Sequence, residues 1–116
     1  MELQELKNRI NIDIEGSLTR FANMEKMYIK FLKKFREDET FEKLSKAVEE
    51  KDRREAEQAA HTLKGVCANL GLEDLRAVFD QIVQAVRSGE TQRIPALYEK
   101  AKADMERTSE AIGLLD

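Results

Sequence analysis

Apolar residues recur at three- and four-residue intervals along most of the chain, and little interrupts them, since its 116 residues include five glycines and one proline. That spacing gathers side chains on one side of an α-helix, whereas a half-buried strand needs strict alternation. Met27, Tyr28, Phe31, Leu32 and Phe35 trace one face of a helix from Met24 to about Arg36, with Lys26, Lys30 and Lys33 on the other. A shorter helix turns Phe41, Leu44, Ala47 and Val48 inward and ends near Lys51. Asp52 opens the next one: its carboxylate suits the unpaired amides of a first turn, and Glu55 completes a capping box. This helix runs to about Leu70, where Asn69 and Gly71 tolerate a left-handed terminus. Leu75, Val78, Phe79, Ile82 and Val86 mark a further helix stopping near Gly89. Ile94, Tyr98, Ala101, Met105, Thr108 and Ile112 mark the last, with Pro95 in its first turn. Before them, Leu3, Leu6 and Ile10 predict a short helix that Asn11, Asp13 and Gly16 interrupt. Short connections make successive helices antiparallel. The predicted fold is all-α, an antiparallel up-and-down four-helix bundle with a short N-terminal helical extension, in a single domain over residues 1–116.

Charge narrows the partners. A formal net charge of −3 argues against nonspecific binding to nucleic acid or an anionic membrane, both of which need an excess of positive field. No apolar run approaches the roughly 20 residues of a membrane span, and the start, MELQELKNRI, lacks a signal peptide's apolar core. Cys67 has no mate with which to form an intrachain disulfide. A cytoplasmic protein that meets other proteins is the expectation.

The stretch AAHTLKGVCANLG, Ala59 to Gly71, holds the one histidine of the chain. At about 100° per residue, Ala56, Ala59, Ala60, Leu63, Val66, Cys67 and Leu70 share the core side of their helix. His61 points away from them, flanked by Arg54, Glu57, Gln58, Lys64, Gly65 and Ala68. Gly65 breaks a local rule, because glycine within a helix costs about 1 kcal/mol relative to alanine and this one lies too far from the helix end to cap it. Its missing side chain, and the small Ala68 beyond, clear the approach to the imidazole for a bulky visitor. Lys64, three residues on, suits an anionic group on the ring better than a metal cation. Histidine side chains titrate in water near pH 6.5, so an imidazole carries a free lone pair able to attack phosphorus around neutral pH. Glu57, one turn back, is a candidate to orient the ring, or else a solvated carboxylate paired with Arg53 or Arg54. The chain has no glycine-rich phosphate loop and no Ser/His/Asp or Cys/His set, and its sole histidine cannot build a zinc site with a cysteine on the opposite face. An autonomous kinase is excluded, and any divalent ion must come with the partner.

These residues resemble the signature of the histidine-containing phosphotransfer (HPt) domain, A-H-x-L-K-G-x-x-x-x-L-G, with Ala60, His61, Leu63, Lys64, Gly65, Leu70 and Gly71 all in place. The likeness extends over about residues 12–110 and includes Phe21, Phe31 and Phe35. It implies a phosphoryl carrier, not a complete enzyme. By that likeness, His61 would accept from the aspartate of one response-regulator receiver domain, with a hybrid sensor histidine kinase as one source, and pass the group to another receiver. The resemblance also implies that Lys64 stabilises the phosphate, that Gly65 gives the receiver room, and that Arg87 adds positive charge. No cofactor is expected on this domain; Mg2+ is expected on the receiver. One departure stands out: where many relatives place Glu or Gln to bond near the histidine, this chain has Val83, leaving Glu57, Gln84 or water to orient the ring. Val66 and Cys67 occupy positions where relatives often have serine, and packing is their expected role. Three further readings stay open at this level: a receiver-binding module that transfers nothing, the phosphoacceptor part of a larger histidine kinase, and a plain structural bundle, for which Gly65 is the main difficulty.

Overall fold

A computed structural model describes residues 1–116 and contains six α-helices and two 3-10 turns. The α-helices are α1 (Ile14–Arg20), α2 (Glu25–Phe35), α3 (Thr40–Glu49), α4 (Arg53–Leu70), α5 (Glu73–Arg87) and α6 (Ile94–Gly113). The 3-10 turns span Leu3–Asn8 and Thr91–Arg93. There are no strands; a single antiparallel bridge joins Ile12 to Leu72. No helix is long and apolar enough to cross a membrane.

Helix α4 packs against α3 and α5, α5 against α6, and α6 back against α3, so four helices close around one core. Leu44, Leu63, Cys67, Val78, Phe79, Ile82, Val83, Ala101 and Ile112 are all fully enclosed there. Phe41 bridges helices at one flank, stacked on Tyr98 with ring centroids 5.7 Å apart and edge-on to Phe79 at 6.3 Å. Helices α2 and α3 cover the two ends of α4 in turn. The Tyr28 hydroxyl of α2 donates to the Leu70 carbonyl at 2.6 Å, and Asp52, just ahead of α4, donates its amide to Ala47 of α3 at 2.8 Å.

Helix boundaries follow the chemistry of the ends. Asp52 caps α4 by accepting from the Glu55 amide at 3.1 Å. The other half of the expected capping box does not form, because the Asp52 amide is already committed to Ala47. Gly71 ends α4 in the left-handed region, φ 74°, and Leu72 closes the turn by donating to Cys67 O at 2.9 Å. Asn69 stays helical and the glycine alone bears the left-handed turn.

The N-terminal region departs from the sequence expectation. The first residues form a short 3-10 helix that ends before Asn11, as expected, but a second helix, α1, starts at Ile14 and carries Gly16 within it. Asp13 is its cap, accepting from the Gly16 amide at 3.0 Å, so the break lies at Asn11 to Asp13 and Gly16 belongs to the first turn of the new helix. On α2, Tyr28, Leu32 and Phe35 are buried, but Met27 and Phe31 are 40% and 42% exposed, because α2 lies at the rim of the bundle.

Candidate functional site

His61 sits on α4 with its side chain exposed, between the buried Ala60 and Leu63. The phase of the helix accounts for this: Ala56, Ala59, Ala60, Leu63, Cys67 and Leu70 are all buried on the other side. Gln58, Gly65 and Ala68 share the exposed face. A Cβ built on Gly65 would meet nothing within 4 Å, so no neighbouring element of this chain uses the gap beside the imidazole.

The flank of this face that borders α5 carries two ion pairs. Lys64 Nζ lies 2.9 Å from Asp80 Oδ1, and Arg87 Nε donates to Glu57 Oε1 at 3.2 Å. The Lys64 ammonium holds the Asp80 carboxyl below the usual carboxylate range. Gln84 also reaches Asp80, its Nε2 donating to Oδ1 at 3.5 Å. Glu57 therefore pairs with neither Arg53 nor Arg54, nor does it orient the histidine; its partner is Arg87, thirty residues on. Gln84 is turned along its own helix toward Asp80.

Both ion pairs join α4 to α5, and their members are equally spaced along the two antiparallel helices. The α5 residue level with His61 in that register is Val83, which is fully buried. The aliphatic side chain belongs to the core, so α5 offers the ring no polar group at its own height. Cys67, on the inner side of α4, is equally sealed, and burial pushes its thiol pKa up, away from the thiolate that redox or nucleophilic chemistry requires. Of the charged side chains in these two ion pairs, Asp80 is the one that sequence reasoning missed. Nothing in the spacing of α5 reveals that it faces Lys64.

A family model described as the Hpt domain matches residues 27–111. The chain belongs to the Hpt domain family. No curated protein and no solved structure matches it significantly, so the family model carries the assignment. As an Hpt domain its general function is histidine phosphotransfer within a phosphorelay, as a phosphocarrier module and not a catalyst, and its general class of partner is the receiver domain of two-component signalling. The helical bundle of this Hpt domain is the scaffold that fixes the α4 face.

Proposed function

We propose that His61 is the phosphorylated residue, that it takes the group from a receiver-domain aspartyl phosphate, and that it passes it on to a second receiver. A ring-nitrogen lone pair forms a bond to phosphorus while the P–O bond to the receiver's carboxyl breaks, its electrons leaving with the carboxylate. The opposite ring nitrogen keeps its proton through the transfer and later yields it to solvent. Onward transfer reverses these steps on a new carboxylate. Lys64 neutralises charge on the phosphoryl oxygens and Arg87 adds to the positive field, while Gly65 and Ala68 leave space for the receiver's surface. Magnesium, in this reading, comes with the receiver and offsets charge on the transferring group. Glu57 and Asp80 are each committed to a cation, and no three His, Cys, Asp or Glu side chains of this chain gather to hold an ion.

One observation carries the proposal: the exposed imidazole stands beside a helical glycine whose missing side chain opens onto free space. Packing gives no account of that glycine, whereas a docking partner does. The test is transfer of labelled phosphate from a phospho-receiver in magnesium to the parent and to His61→Gln. The expected result is an acid-labile, base-stable label on the parent alone. Label on both proteins would overturn the assignment of His61.

A further inference from the structure

His61 lies between two ion pairs of opposite polarity. On its N-terminal side the acid is on α4 and the base on α5, as Glu57 and Arg87; on its C-terminal side the base is on α4 and the acid on α5, as Lys64 and Asp80. Lys64 and Arg87, the cations of this flank, are thus each paired with a carboxylate of the same chain. An arriving phosphoryl group with two negative charges competes for both. Lys64, one turn from His61, can exchange one anionic partner for the other by rotating its own side chain, since both lie on the same flank of α4.

Resting on the assignment of His61, we infer that Asp80 is a positioning residue that holds the Lys64 ammonium against α5 in the unphosphorylated protein and releases it when His61 is loaded. Asp80 is well placed for this. It binds Lys64 at 2.9 Å, is steadied by Gln84, and is only partly exposed, as is Lys64. Val83, between Asp80 and Arg87 on α5, keeps the helix from supplying a competing donor to the ring. The retained carboxylate makes Lys64 an inducible clamp: neutralised while the site is empty, available when negative charge arrives. Asp80 therefore restrains the loading rate, and its removal accelerates it.

The experiment uses phosphoramidate, a small donor that needs no docking surface. The imidazole attacks phosphorus, the P–N bond of the donor breaks, and ammonia leaves. Loading is followed by 31P NMR in the parent, Asp80→Asn, Asp80→Glu, Lys64→Met and the Asp80→Asn/Lys64→Met double variant, with circular dichroism to check that each is folded. Asp80→Asn is expected to load about two- to fivefold faster, the range a partly exposed ion pair can supply. Asp80→Glu is expected to return the rate to that of the parent, and Asp80→Asn to gain little once Lys64 is methionine. An equal gain in both lysine backgrounds would show that Asp80 merely repels the anionic donor, and slower loading in Asp80→Asn would show that it aims the ammonium; either result overturns the inference. A parent that takes no label would remove the His61 assignment together with it, whereas a labelled parent matched in rate by Asp80→Asn would remove the role of Asp80 alone.

Discussion

The end of α4 and its middle are built on opposite terms. At the end, Gly71 is crowded: a Cβ placed there would come within 2.5 Å of the Asp13 carbonyl. Arg20 donates to the carbonyls of Ala68 at 3.0 Å and Asn69 at 3.1 Å, Tyr28 to that of Leu70, and the Asp13 amide to that of Gly71 at 2.9 Å. Carbonyls orphaned by the end of the helix are thus satisfied by three different segments. Toward the middle of the helix, Gly65 faces open space and His61 is exposed. The same residue type serves the fold where its backbone is strained and enclosed, and serves access where its backbone is ordinary and bare. Bareness in the middle is possible because α4 is held by its buried face against α3 and α5 and by this anchored end, and so keeps its phase without needing contacts on the His61 face.

Substitutions at the two glycines break this contrast most directly. Gly71→Ala combines a left-handed backbone with a clash against backbone, so a loss of at least about 3 kcal/mol is expected in urea unfolding. Tyr28→Phe leaves the Leu70 carbonyl without its partner at the same end, and a loss of about 2 kcal/mol is expected. Gly65→Ala has the opposite sign: nothing obstructs the methyl group, and helix propensity raises stability by about 1 kcal/mol while loading by phosphoramidate persists. Gly65→Gln sharpens the point, since it should still load from phosphoramidate but fail to accept from a phospho-receiver. Normal receiver transfer in that variant would defeat the clearance argument.

The smallest effect concerns acid stability. Lys64 lowers the Asp80 pKa in the folded state, so the pair's contribution is fully present above the ordinary aspartate value of about 3.9 and is lost as pH falls through the lower, folded value. Urea midpoints between pH 7 and pH 3 should therefore fall slightly more steeply in the parent than in Lys64→Met. The pair is partly exposed, which keeps the difference small.

Periodicity determined the long helices and the outward direction of His61, and residue type the glycine cap at Gly71, because helical phase and terminal backbone geometry are local properties. Tertiary structure alone decided which charges meet. Glu57 found Arg87 and Lys64 found Asp80 because core packing sets the register of α4 against α5, and no spacing within either helix encodes that register. Helix α1 belongs to the same category. Gly16 reads as a break in isolation, yet the Asp13 cap and the docking of Arg20 onto the end of α4 stabilise a helix only seven residues long. Met27 and Phe31 show the converse, since a regular apolar stripe says which face they share but not how far the neighbouring helices extend to cover it.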